Sequence, residues 1–323
     1  MDDCVYIRIE TASRYGIAAN YCIVVLMKSS WGRTVSSNFS TNFSAMRELL
    51  FISFIIVFLT FGLVLLYWRS RAFRFYMKYV AYNCSIMLTA IFALSIGVFH
   101  PFDVENFHRA RGFVYCFLVK VFSIRVDIEG LETFNTLNGK NFIIVANHQS
   151  SLDMFPILKA TPQRTSFLAK RELILAPLFG AAAWLYGVIF INRGNAKSAR
   201  DVMARTAQEV VDKKINLWIF PEGTRSQTGT LLPFKKGAFH LAQQAQLPIV
   251  PLVLYDYSSI FNKMSKTFTT GIIRGKVLSP ISTEGLAIND ISELTERVRE
   301  KMLKVFHESD YLNGTSAEDK KTN

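Results

Sequence analysis

About 20 consecutive residues, Leu49 to Trp68, carry no charge, and this run constrains the chain more than any other feature. A helix needs about 20 apolar residues to cross the hydrocarbon core of a bilayer. A helix lining a soluble core needs only an apolar stripe. The run is apolar all round, so it predicts a membrane-embedded helix. It lies too deep in the chain, and lacks the small-residue cleavage site, for a cleavable signal peptide. Arg69, Arg71, Arg74 and Lys78 follow at once, and clustered cations mark the cytoplasmic end of a span. A second apolar stretch, Tyr79 to Phe99, is interrupted by Asn83 and closed by His100-Pro101. It can span, or it can lie as a hairpin arm within one leaflet. The two placements put the rest of the chain on opposite sides of the membrane.

The remainder divides around these segments. Residues 1–45 are polar and weakly patterned and are expected to be a poorly ordered extension. Asn38 and Asn42 head glycosylation sequons that matter only on a lumenal side. Residues 46–100 are expected to form a membrane-embedded helical hairpin, 101–308 a single domain, and 309–323 a polar, disordered tail. From Val114 to Ile124 an amphipathic helix is expected, with Lys120 able to snorkel. Arg125 to Gly130 alternates as a half-exposed strand does. Strand patterns then recur over 141–146, 165–169, 187–191, 216–220, 248–254 and 272–278. Helical patterns recur over 152–160, 175–185, 195–213, 235–245 and 289–307. This alternation predicts an α/β domain with a largely parallel sheet flanked by helices.

Charge limits the partners. The 37 Lys and Arg outnumber the 25 Asp and Glu, for a net +12, which favours anionic lipids, phosphorylated substrates or nucleic acid. No zinc spacing, aromatic RNA-binding strand or long basic tract is present, so nucleic acid is set aside. Cys4, Cys22, Cys84 and Cys116 are widely spread and make no CxxC pair. No metal site is expected from them.

The chemistry concentrates at Asn147-His148-Gln149-Ser150-Ser151-Leu152-Asp153, between the apolar run 142–146 and a helix opening at Met154. A carboxylate that orients an imidazole makes it a general base. A tight strand-to-helix turn can fold Asp153 back onto His148. In an open α/β sheet, reactive groups gather on loops leaving the carboxyl ends of strands. Arg193 and Pro221-Glu222-Gly223 also follow apolar strand patterns, so one crevice can collect all of them. An Arg at a strand end can grip a phosphate bidentately. Glu222 can bind a polyol hydroxyl, and Gly223 permits close backbone approach. Thr224 and Arg225 add a hydroxyl and a second cation. Lys170 and Lys236 can meet a donor's phosphates or an oxyanion. There is no GxSxG elbow and no convincing Cys nucleophile.

These motifs resemble those of a known family. The NHxxxxD pattern of 147–153 resembles the first motif of the glycerolipid acyltransferases, the family of the 1-acylglycerol-3-phosphate acyltransferases. Gly187 to Arg193 resembles the second motif, Phe220 to Ser226 the third, and Val250 to Val253 the fourth, in family order. Lys170-Arg171-Glu172-Leu173 and Phe234-Lys235-Lys236-Gly237 resemble further stretches. The resemblance runs from roughly Met46 to Phe306. It implies the glycerolipid acyltransferase fold and direct acyl transfer from acyl-coenzyme A, with no metal or bound cofactor. The implied acceptor is the sn-2 hydroxyl of 1-acylglycerol 3-phosphate (lysophosphatidic acid), and the product is phosphatidic acid. His148 and Asp153 are the implied catalytic pair. Arg193, Glu222, Gly223, Thr224, Arg225 and Lys170 are the implied substrate-binding residues. Two alternatives stand beside it: transfer to glycerol 3-phosphate or another lysophospholipid, and a non-catalytic membrane protein that binds anionic lipid. The expected partners are acyl-coenzyme A, lysophosphatidic acid and membrane lipid, with no obligate protein partner evident. The terminal Lys320-Lys321-Thr322-Asn323 resembles a dilysine retrieval signal. It implies an endoplasmic-reticulum membrane protein with its catalytic domain on the cytosolic face.

Overall fold

A computed structural model describes residues 46–137, 139–192, 196–226 and 228–312. The sequons, Arg193 and the dilysine ending lie outside the described residues. The chain divides between Arg69 and Ser70 into two compact units. The first contains helix α1 (Met46–Arg69). Large apolar side chains along its length, from Leu49 to Trp68, are exposed. Such exposure befits a helix whose solvent is lipid.

The second unit begins with α2 (Arg71–Phe99), capped by the Ser70 hydroxyl accepting from the Phe73 amide at 3.2 Å. Like α1, helix α2 is long and apolar enough to cross a membrane, as the expected hairpin over 46–100 requires, and it also belongs to the compact unit that contains the sheet. One face buries Phe75, Tyr82, Ser85, Thr89, Ala90 and Gly97. Tyr82 donates to the Ser151 carbonyl at 2.7 Å, and Tyr186 donates to the Ala93 carbonyl at 3.0 Å. Hydropathy could not distinguish a helix packed along one stripe from a lipid-embedded arm. Its opposite face still exposes Tyr76, Met77, Val80, Leu88, Ile91 and Val98, so α1 and α2 together give the chain a membrane-associated N-terminal region.

Helix α3 (Glu105–Phe122) leads into β1 (Ile124–Glu129). Then come β2 (Ile143–Ala146), α4 (Met154–Ala160), β3 (Thr165–Lys170), α5 (Phe179–Leu185), β4 (Ile189–Ile191), α6 (Ala196–Asp212), β5 (Asn216–Ile219), α7 (Gly237–Ala245) and β6 (Ile249–Leu254). A small hairpin, β7 (Phe261–Asn262) and β8 (Thr267–Phe268), precedes β9 (Gly271–Val277) and the long α8 (Ile291–Leu312). The sheet order is β1-β9-β6-β2-β5-β3-β4. Strands β6, β2, β5, β3 and β4 run parallel, while β9 meets β6 antiparallel and carries β1 with it.

Strand alternation sorts the core into two layers. Ile144, Ala146 and Trp218 point to the face covered by α2, α3 and α4. Their neighbours Ile143, Val145, Leu217 and Ile219 point to the face covered by α6, α7 and α8. Strand β2 is buried at every residue, which is why it reads as an unbroken apolar run rather than an alternating one. It lies between β6 and β5. The crossover after β2 leads to β3 on one side, and the crossover after β5 leads to β6 on the other. The carboxyl end of β2 is therefore a topological switch point, where such sheets open a crevice.

Candidate active site

Two adjacent strands deliver the two central motifs to one spot. Val145 pairs with Ile219 in parallel register, so Asn147-His148 and Phe220-Pro221-Glu222 leave the sheet side by side. The turn after β2 is closed by its own side chains. Ser150 caps the short 3-10 turn 151–153, its hydroxyl accepting from the Leu152 amide at 3.0 Å. Asp153 points back and accepts from the amides of Gln149 and Ser150 at 2.8 and 3.0 Å. The same carboxylate oxygen lies 2.6 Å from His148 Nδ1. The spacing of five positions thus becomes an ion-pair geometry through a reversed turn. Asp153 is 1% exposed, so little water competes for it.

The other carboxylate oxygen has a partner that sequence reasoning missed. The Tyr257 hydroxyl donates to Asp153 Oδ1 at 2.5 Å and lies 2.9 Å from the Ser150 hydroxyl. Burial, with the Asp153 charge beside it, pushes this phenol well above the ordinary tyrosine range, so it stays a proton donor. Its position was in principle legible: Tyr257 lies three residues beyond β6, on a loop leaving the carboxyl end of the neighbouring strand. Asn147 and Gln149 tie the turn to the same strand. The Asn147 amide donates to the Leu254 carbonyl at 2.9 Å and accepts from the Leu254 amide at 2.7 Å. Gln149 donates to the carbonyls of Leu254 and Tyr255 at 3.0 and 2.9 Å.

The 220–226 motif clamps His148 from the other side. Glu222 Oε1 accepts from the His148 amide at 2.7 Å, and Oε2 accepts from the Leu232 amide at 3.0 Å. Ser226 donates its amide to the His148 carbonyl at 2.9 Å. The Phe220 ring stacks on the imidazole with centroids 4.1 Å apart. Burial raises the Glu222 carboxyl above the usual carboxylate range, opposed by the two amides it accepts from. Both of its oxygens accept backbone amides, so Glu222 positions the residue that carries the base. Pro221 starts the turn, and Gly223 closes it by donating its amide to the Phe220 carbonyl at 3.2 Å. Gly223 has φ +71°, and a Cβ there would meet the Lys235 side chain at 2.9 Å. The left-handed φ favours glycine, while the flexible end of Lys235 could move aside.

The cations separate into near and far. Arg225 Nε donates to His148 Nε2 at 3.3 Å. That nitrogen therefore carries a lone pair, and the Asp153-facing nitrogen carries the proton. Thr224 and Arg225 are both exposed beside the imidazole, open to a ligand. Lys235 lies over Gly223 and was passed over in favour of Lys236. The Lys236 amine instead reaches the Ser292 hydroxyl of α8 at 2.7 Å. Lys170 ends β3, which β5 separates from β2, and pairs with Glu172 at 3.4 Å on the surface. Strand β4, which ends just before Arg193 in the sequence, is three strands from β2, and Arg193 lies outside the described residues. No group of three or more His, Cys, Asp or Glu able to hold a metal occurs among the described residues.

This arrangement has relatives. A family model described as Acyltransferase matches residues 125–255, the span from β1 to just past β6. The human 1-acyl-sn-glycerol-3-phosphate acyltransferase alpha is 40% identical over 248 residues, 77% of this chain and 87% of that protein. The human beta form is 39% identical, over 76% of this chain and 87% of its own length. The Saccharomyces cerevisiae 1-acyl-sn-glycerol-3-phosphate acyltransferase is 37% identical, over 70% of this chain and 73% of its own length. Among solved structures, the 1-acyl-sn-glycerophosphate acyltransferase PlsC of Thermotoga maritima matches with TM-score 0.56 and 25% identity, over 75% of this chain and 98% of that one. A parallel sheet that presents a buried His-Asp pair at its switch point, in a chain matching these proteins over most of their length, places it in a family: the chain belongs to the 1-acyl-sn-glycerol-3-phosphate acyltransferases.

Proposed function

We propose that this chain transfers an acyl group from acyl-coenzyme A to the sn-2 hydroxyl of 1-acylglycerol 3-phosphate, giving phosphatidic acid. The observation that carries the reading is the His148–Asp153 contact of 2.6 Å, with the second imidazole nitrogen facing the crevice beside Arg225. His148 Nε2 takes the proton of the acceptor hydroxyl as its oxygen attacks the thioester carbonyl. Asp153 holds the tautomer and stabilises the imidazolium. The tetrahedral intermediate collapses, the carbon–sulfur bond breaks, and the thiolate leaves with the proton that His148 returns. These steps require no protein nucleophile and no resident cofactor.

Arg225 and Thr224 receive the acceptor's phosphate, joined by Arg193 across the crevice. Lys170 serves the donor's phosphates or the oxyanion, and Gly223 lets substrate pass close to the backbone. Purified protein given acyl-coenzyme A and a panel of lyso-acceptors should acylate lysophosphatidic acid most efficiently. In the same assay His148→Ala should lower kcat/KM by roughly 10²- to 10⁴-fold, the usual contribution of a positioned general base. A well-folded His148→Ala protein that keeps most of its activity defeats the mechanism. Arg193→Lys keeps the charge but loses the bidentate fork, so it should raise the acceptor KM. A raised acyl-donor KM instead would move Arg193 to the coenzyme A side.

The enzyme acts at the endoplasmic reticulum with its active site facing the cytosol. Support comes from the cations after α1 and the charge of acyl-coenzyme A, which resists crossing a bilayer. Protease added to sealed microsomes should remove an epitope tag inserted just before residue 309. Protection until detergent is added places the domain in the lumen.

A further inference from the structure

The mechanism leaves unused a group of cations on the side of the domain where α2 begins. Arg71, Arg74, Lys78 and Lys266 line a cavity of about 260 Å³ between the first two turns of α2 and strand β8. Lys263 stands on the same hairpin, 5.2 Å from the Tyr79 ring centroid. Lys266 lies 4.9 Å from the Tyr76 ring and 5.6 Å from the Phe75 ring. Lys78 donates to the Phe268 carbonyl at 3.0 Å. Aromatic faces and a carbonyl thus gather these cations. No acidic residue occurs in 69–102 or 258–277, the two segments that supply them. A cleft lined by cations attracts anions.

The hairpin tip has a second character. Asn262 Oδ1 accepts from the amides of Met264 and Ser265 at 2.8 and 3.1 Å, so the turn is held shut by its own side chain. Phe261 and Phe268 anchor its base, edge to face at 5.3 Å, with Phe261 packed 5.7 Å from Phe75. This rigid turn holds Met264 out at 89% exposure between Lys263 and Lys266. An apolar tip flanked by lysines suits a bilayer interface, with the thioether among acyl chains and the ammoniums at the headgroups. On the facing helix, Tyr76, Met77 and Val80 are exposed as well.

We propose that the cleft between the 261–268 hairpin and the first turns of α2 binds the phosphate of an anionic membrane lipid, with Met264 inserted beside it. The cleft is not the catalytic crevice. A series of ring contacts, Phe75 to Phe261, Phe261 to Phe268, Phe268 to Tyr82 and Tyr82 to Phe155, stands between it and the helix that follows Asp153. The site fixes the orientation of the domain on a charged leaflet, a role separate from acyl transfer.

The test uses the full chain in nanodiscs of phosphatidylcholine, with or without 30 mol% (about one lipid in three) phosphatidylserine, reading amide hydrogen exchange of the segment 259–270. Exchange should slow in the anionic discs and stay fast in the neutral ones. Lys263→Ser with Lys266→Asn should abolish the difference, since each cation near a charged surface contributes roughly fivefold in partition. Asparagine is chosen because Lys266 has φ +54°, which asparagine tolerates. Lys263→Arg with Lys266→Arg should restore the protection, separating charge from folding. Met264→Ser should weaken it without changing exchange in neutral discs. Equal exchange in both discs, or protection that survives the loss of both lysines, overturns the proposal. So does equal protection in neutral discs by coenzyme A, lysophosphatidic acid or inorganic phosphate, which would make the cleft a substrate or free-phosphate site. Exchange is read without turnover, so failure here leaves the acyltransferase reading standing, and the converse also holds.

Discussion

At the scale of residues, the site is built from backbone clamps as much as from reactive groups. His148 is held by its amide on Glu222, its carbonyl on Ser226, its ring on Phe220 and its Nδ1 on Asp153. Glu222→Gln tests the positioning role of the carboxylate. A glutamine can accept from only one of the two amides, and leaving the other buried and unpaired costs about 1–3 kcal/mol. The expected result is at least a tenfold lower kcat (about 1.4 kcal/mol) with little change in acceptor KM. A Glu222 that binds the glycerol hydroxyl would give the opposite split in steady-state kinetics. Tyr257→Phe removes the donor on Asp153 Oδ1 and keeps the ring. A hydrogen bond to a charged group contributes roughly 1.5–3 kcal/mol, part of which the amides on Oδ2 still supply. We expect kcat lowered roughly three- to tenfold, an unchanged acyl-donor KM, and a displaced pH profile of kcat/KM. Asp153→Asn should be far more severe, because an amide cannot stabilise an imidazolium.

At the scale of elements, the main result concerns α2, an apolar helix of membrane-crossing length that is also a wall of the domain. Its close approach to α5 depends on one small residue. A Cβ on Gly97 would lie 2.9 Å from Leu185 Cβ and 3.3 Å from the Tyr186 ring. Gly97→Val should therefore overpack the junction, at a cost of about 1–3 kcal/mol. A lower thermal midpoint of the detergent-solubilised protein would show it, and an unchanged midpoint would mean that α2 is not held there. Much else at this scale was open to reading from the sequence. The expected strand over 141–146 is β2, those over 248–254 and 272–278 are β6 and β9, and the helical pattern over 289–307 is α8, which buries Ile291, Leu294, Val298 and Met302. The hairpin β7–β8 was not expected, because two-residue strands are too short for any periodicity to register.

At the scale of the whole molecule, the division at Ser70 makes a further prediction. A chain begun at Ser70 contains the sheet, both core layers and every described residue of the His148 site. It should fold, with a cooperative thermal transition in detergent and measurable transfer to lysophosphatidic acid in mixed micelles. It should lose stable insertion into vesicles, because α1 carries the longer uncharged apolar run. A chain that aggregates without native-like unfolding would show that the two units depend on each other.

What the amino-acid sequence determined alone was whatever depends on local order along the chain. Apolar runs set the strands, their alternation with helical patterns set a parallel α/β sheet, and the spacing of Asn147 to Asp153 pointed to a base and its carboxylate. These are near-neighbour properties, and a periodicity or motif records them. The tertiary structure decided which polar groups are already spoken for. Nothing in the sequence shows that Glu222 and Asn147 hold backbone, yet their partners lie 74 and 107 residues away along the chain. Only the pairing of β2 with β5 and β6 brings those backbone groups within hydrogen-bonding distance. The same holds for Tyr257 on Asp153 and for the cations around the hairpin, since a side chain's role depends on what the fold places beside it.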